Sequence, residues 1–145
     1  MTRRTSKAGI ELIKKFEGDR LESYRCPAGV WTVSAGVTGS HVKPGMKITQ
    51  EESDALFAEA LKKFEAGVTA AVKVPLTQPQ FDAVISLAYN IGLPAFRAST
   101  LLKMLNAREY GKASTEFGRW IHAGGQVLPG LIRRRSAERD LFLQR

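Results

Sequence analysis

The chain has 145 residues, enough to bury a core without disulfides or metals, so a single domain over 1–145 is expected. Its 43% hydrophobic and 25% charged residues exclude a disordered chain and match an ordered globular one. The net charge of +8 favours an anionic partner, whether nucleic acid, an anionic membrane or a cell-wall polymer, without choosing among them.

No stretch approaches the roughly 18 apolar residues that a membrane span needs, so no transmembrane segment is expected. The run Met1-Thr2-Arg3-Arg4-Thr5-Ser6-Lys7 has no apolar core behind its charges, and no export signal is visible. One cysteine rules out an internal disulfide, and with only His41 and His122 beside it no structural metal is expected.

In chain order, Ser6 can cap a first helix over 6–16, in which Ile10, Ile13 and Phe16 recur at helical spacing and Gly18-Asp19 ends the pattern. Glu17 falls at its C-terminal end, where the helix dipole disfavours a negative charge and so suits a proton donor. From Leu21 to Val42, Pro27 and several glycines alternate with Val30, Trp31, Val33 and Val37, the pattern of a small twisted ribbon. Alternation along it sends Thr32 away from the apolar side. Thr49-Gln50-Glu51-Glu52 is a capping box opening a helix to about Phe64, with 68–72 either extending it or starting a connector before Val74-Pro75.

Thr77-Gln78-Pro79-Gln80 opens a strongly apolar helix closed by Gly92, and Ser99-Thr100 opens another. A further helix is predicted over Tyr110 to His122, and Pro129-Gly130 introduces the last, so the second half reads as all helix. The expected fold is α+β and mostly helical: a small β-ribbon lobe at about 17–64, a larger helical lobe at about 75–145 joined by helix 6–16, and a cleft between them.

Three residues in one turn-rich segment carry reactive groups. Glu17 can donate a proton to a leaving oxygen, Cys26 beside Arg25 can form a thiolate, and Thr32 adds a hydroxyl. Each also has an ordinary reading, as a solvated carboxylate, a small hydrophobe and a strand threonine respectively.

Their joint spacing resembles that of the phage lysozymes of the T4 type, in which a Glu is followed after eight residues by Asp or Cys and after five more by Thr. The flanks are similar too, in Leu12-Ile13-Lys14-Lys15-Phe16-Glu17-Gly18 and Cys26-Pro27-Ala28-Gly29-Val30-Trp31-Thr32. So are Ala88-Tyr89-Asn90-Ile91-Gly92, Ser99-Thr100-Leu101-Leu102, Trp120 and Gly130-Leu131-Ile132-Arg133-Arg134-Arg135. The resemblance implies a lysozyme-like fold and an endolysin that cuts peptidoglycan glycan strands between N-acetylmuramic acid and N-acetylglucosamine. It implies Glu17 as catalytic acid, Cys26 as base or nucleophile, Thr32 as holder of the attacking water, and Asn90 and Arg134 on the substrate side. No cofactor is implied, and a monomer is expected. The enzyme would accumulate in the host cytoplasm and reach the periplasm through holin lesions.

The ribbon departs from the related pattern Thr-Ile-Gly-Tyr-Gly-His-Thr, reading Thr32-Val33-Ser34-Ala35-Gly36-Val37-Thr38. Because the changes spare the three spaced positions, an active enzyme is favoured over a silent peptidoglycan- or partner-binding module. A lytic transglycosylase would act on the same bond with a lone Glu. Nucleic-acid binding through Arg133-Arg134-Arg135 and Arg139 lacks an aromatic platform or a helix-turn-helix pattern, so no nucleic-acid partner is expected.

Overall fold

The computed structural model describes residues 3–144. They form two compact units, one of Ile13–Lys63 and the other of the described residues in Met1–Leu12 and Phe64–Arg145. The division falls within helices α1 (Lys7–Glu17) and α2 (Gln50–Ala71). Among the described residues no helix is long and apolar enough to cross a membrane.

In the smaller unit, β1 (Arg20–Arg25) pairs antiparallel with β2 (Trp31–Ser34), Tyr24 facing Thr32 and Arg25 facing Trp31. Pro27-Ala28-Gly29 form the loop: the Gly29 amide donates to the Cys26 carbonyl at 2.8 Å, the Cys26 amide donates to the Val30 carbonyl at 2.9 Å, and Gly29 takes φ +81°. A turn followed by a left-handed glycine is a favoured three-residue hairpin connection. On the other edge of β1 the Ser23 amide donates to Met46 and the Ile48 amide to Leu21, each at 2.8 Å. Val33, Val42 and Ile48 make the local core, with Trp31, Met46 and Leu56 packed against it. Period-two alternation therefore places Trp31 and Val33 on the apolar side and Thr32 on the other.

Thr49 opens α2 as expected, its Oγ1 accepting from the Glu52 amide while Oε1 of Glu52 accepts from the Thr49 amide. The helix continues without a break through residues 68–71.

The larger unit is built around α3 (Gln78–Ile91), in which every residue from 81 to 88 is buried. Thr77 and Gln80 form its capping box, and Gly92 closes it at φ +90°. Short helices α4 (Leu93–Arg97), α5 (Thr100–Asn106) and α6 (Tyr110–Glu116) follow, and α7 (Pro129–Phe142) packs on α3. The Phe117 and Phe142 rings meet edge to face at 5.5 Å. Carboxylates of this unit also hold the segment before α1. Glu65 accepts from the Thr5 amide and hydroxyl at 2.6 and 2.8 Å, and Asp82 accepts from the Ser6 amide and hydroxyl. The Ser6 hydroxyl is thus bonded to Asp82, a partner 76 positions away that helix-cap reasoning on the local sequence could not name.

Two expectations for the second half are corrected. The helix predicted from Tyr110 to His122 stops at Glu116, a 3-10 turn covers Phe117–Arg119, and β3 (His122–Ala123) pairs with β4 (Gln126–Val127). The second half is therefore not all helix. Gly124 and Gly125 both have positive φ, +58° and +77°, the backbone that a tight two-residue hairpin turn requires and that interrupts a helix.

Glu138 is fully buried between two buried arginines. Its carboxylate accepts from Nε of Arg134 at 3.2 Å, from Nη1 of Arg135 at 2.6 Å and from the Ser86 hydroxyl at 2.5 Å. Arg134 also donates to the Ser86 carbonyl at 3.0 Å and Arg135 to the Trp120 carbonyl at 2.8 Å, so the cluster ties α7 to α3 and to the segment before β3. Removing one member leaves buried charges uncompensated. Glu138→Ala is expected to lower unfolding free energy by about 3–5 kcal/mol, read from urea denaturation followed by circular dichroism.

Candidate active site

All three spaced residues lie in the smaller unit. Glu17 is the last residue of α1, which ends there because Gly18, at φ +90°, turns the chain away while its amide still bonds the Lys14 carbonyl at 2.8 Å. The carboxyl of Glu17 rests on Gly36. A β-carbon placed on Gly36 would lie 3.0 Å from Oε1 and 3.7 Å from Cδ of Glu17, and Gly36 itself has φ +75°. Glycine meets both demands at this position, a left-handed backbone and the close approach of a carboxyl.

Cys26 stands at the mouth of the β1–β2 hairpin, a half-buried free thiol. The Val30 amide holds it below the ordinary thiol range. Partial burial opposes that shift, and the Ala28 amide and the Thr32 hydroxyl reinforce it. The tight hairpin thus does for the thiolate what the neighbouring cation, Arg25, was expected to do. Guanidinium of Arg25 instead lies over the Trp31 ring, 5.8 Å from its centroid.

Thr32 is 4% exposed. Its hydroxyl donates to the Val30 carbonyl at 3.0 Å and is also a partner of the Cys26 thiol. A hydroxyl has one proton, so donation to the carbonyl and donation to sulfur exclude each other. The structure therefore couples Cys26, just past the end of β1, directly to Thr32 on β2 through their side chains.

Asn90 and Arg134 belong to the larger unit. Asn90, exposed at the end of α3, accepts a hydrogen bond from Nη2 of Arg135. Arg134 is 3% exposed and bonded to Glu138 and Ser86. Sequence reasoning noted Gly36 only as a ribbon glycine and missed its contact with Glu17. The usable signal was a lone glycine in the three-residue span between Val33 and Val37, whose amides and carbonyls bond reciprocally at 2.9 Å. The altered residues Ala35 and Val37 are both buried, so they change the interior of the small unit rather than its exposed face.

A carboxyl at a helix end and a thiol–hydroxyl pair on the following hairpin thus lie in one compact unit of an α+β and mostly helical chain. The model of the family described as phage lysozyme matches residues 14–138. The chain belongs to that family, whose members are muramidases.

It is similar to the endolysin of Acyrthosiphon pisum secondary endosymbiont phage 1, with 46% identity over 141 residues that cover 94% of this chain and 96% of the other. It is 36% identical over 128 residues to the SAR-endolysin of Bacteriophage PS119, covering 88% of this chain and 77% of the other. A crystal structure of a P22 lysozyme mutant superposes with a TM-score of 0.89 at 40% identity, covering 98% of this chain and 99% of that one.

The donors around Cys26 make its reactivity measurable. Iodoacetamide labelling followed by mass spectrometry is expected to show a pH midpoint below the ordinary thiol value of about 8.5, and Thr32→Val to raise it. A midpoint at or above about 8.5 in the unaltered protein would show that the hairpin donors do not stabilise the thiolate.

Proposed function

We propose that this phage lysozyme hydrolyses the β-1,4 bond between N-acetylmuramic acid and N-acetylglucosamine with Glu17 as general acid. The observation that carries the proposal is the placement of the Glu17 carboxyl on Gly36 in the same compact unit as the Cys26–Thr32 pair. Glu17 gives its proton to the glycosidic oxygen as the bond to the anomeric carbon breaks. Cys26, as thiolate, either takes a proton from water attacking that carbon or attacks the carbon itself and is displaced by water later. Thr32, able to turn its hydroxyl between the Val30 carbonyl and the sulfur, orients the water.

Asn90 supplies a polar contact to sugar or peptide, its carbonyl oxygen steadied by Arg135. A contribution of Arg134 runs through orientation, since it is buried against Glu138 and Ser86. Burial of Arg134 and Arg135 also dismantles the basic run on which a nucleic-acid reading rested, because half of its four arginines turn inward.

The expected result for Glu17→Gln is a fall in kcat of about 10²–10⁴-fold with retained binding to purified sacculi, measured as new reducing ends. Clearing at the unaltered rate would remove the acid assignment. The anomer released at first turnover, read by NMR, separates water activation by Cys26 from covalent attack, and 1,6-anhydro products would identify a transglycosylase instead.

Endolysins act on the host cell wall, and we propose that this one gets there by holin-assisted release. Its SAR-endolysin relatives bear a name that points to a different export route. Cells producing the protein alone are expected to remain intact and to lyse when a holin is co-produced. Lysis without a holin would favour the other route.

A further inference from the structure

Ser34 has a backbone that serine seldom takes. Its φ is +57°, it is fully buried, and glycine would occupy the same conformation without strain. A non-glycine residue persists in such a place when its surroundings hold it there, and here the hold is visible. The Ser34 hydroxyl donates to the Ser53 carbonyl at 2.9 Å, and the two hydroxyl oxygens lie 2.7 Å apart. Ser53 Oγ in turn lies 2.6 Å from Oδ1 of Asp19, and Oδ2 of Asp19 accepts from Nε2 of Gln50 at 2.8 Å. An ionised carboxylate can only accept, so the Ser53 proton goes to Asp19 and the Ser34 proton is left to the oxygens of Ser53.

Burial opposes ionisation of Asp19, yet donors Ser53 and Gln50 and the Lys14 ammonium, 3.4 Å away, hold its carboxyl below the usual carboxylate range. Lys14 also bonds Asp54 at 2.7 Å, closing the cluster on α2.

The two ends of this chain of bonds flank the proposed acid. Asp19 is two residues beyond Glu17, across Gly18, and Ser34 is two residues before Gly36, on which the Glu17 carboxyl rests. The reciprocal Val33–Val37 bonds make residues 34–36 a closed turn, so fixing Ser34 fixes Gly36.

We propose that Ser34, Ser53 and Asp19 form a positioning relay that clamps the Gly36 turn against the Glu17 carboxyl and so sets the angle at which Glu17 meets the glycosidic oxygen. These are positioning residues, not catalytic ones, and the inference rests on Glu17 being the acid. Positioning errors well below one side-chain width cost large factors in rate when the reacting groups are otherwise intact.

The test compares Ser34→Gly, Ser53→Ala and their double variant, with Glu17→Gln as reference, on a soluble oligomer of alternating N-acetylglucosamine and N-acetylmuramic acid. Ser34→Gly keeps the left-handed backbone without strain while removing the tether, so relief of strain offsets part of the loss of the buried hydrogen bonds, and assays are run well below its measured melting temperature. Its kcat is expected to fall about tenfold with KM within about twofold, because the acid is misaligned while substrate binding is spared. Ser53→Ala is expected to fall similarly, and the double variant to fall no further than either single one, the signature of one shared chain.

Unaltered kcat in Ser34→Gly beside an inactive Glu17→Gln would overturn the relay alone. So would losses in the two single variants that multiply in the double one. Full activity in Glu17→Gln would overturn the acid assignment and the relay with it. Should Ser53→Ala fail to fold, Ser34→Gly by itself decides.

Discussion

The carboxyl of Glu17 lies on the α-carbon of Gly36, and there is no room between them for a methyl group. Much of the small unit follows from that contact. The helix must stop at Glu17 so that its end projects the side chain, which Gly18 achieves with a left-handed turn. The turn after β2 must present bare backbone, which requires glycine at position 36 and a strand pairing that brings the turn back on itself at Val33 and Val37. The turn must then be held, and serines rather than bulk hold it. The same β2 strand carries Thr32, whose hydroxyl reaches the Cys26 thiol, so a single strand serves both halves of the proposed chemistry.

Charge is used differently in the two units. Around Asp19, Lys14, Asp54 and Gln50 the groups are partly exposed, and each ion pair is worth little by itself in water. Their effect is geometric, since a carboxylate that accepts several donors has few orientations left. In the larger unit Glu138 sits between two arginines out of water, where the cost of desolvation is met only because every partner is present. That cluster contributes specificity of packing between α3 and α7, and it removes two cations from the surface that composition had offered to a polyanion.

Much of the architecture was legible in the sequence because it is written in local terms. The capping boxes at Thr49 and Thr77, the period of apolar residues along α3, the glycine stops and the Pro27-Ala28-Gly29 loop depend on neighbours three or four positions apart. The strand pair at 122–127 was not foreseen, although Gly124-Gly125 marked its turn. Two-residue strands carry no periodicity, and the helical signal from Tyr110 onward overran them. Ser34 read as an altered ribbon position, because nothing local says that its hydroxyl will find Ser53, 19 residues on.

From the chain alone came the list of reactive groups and their order: a carboxyl at a helix end, then a thiol, then a hydroxyl, with a spacing that pointed to the phage lysozymes. Folding supplied which of them touch. The lowered thiol range of Cys26 comes from amides of a hairpin rather than from the adjacent Arg25, and the rest for the Glu17 carboxyl comes from a glycine 19 positions away. Side-chain chemistry is a property of residue type and survives in a string of letters. Hydrogen bonding and close approach are properties of distance, and distance between residues far apart in the chain exists only once the chain has folded.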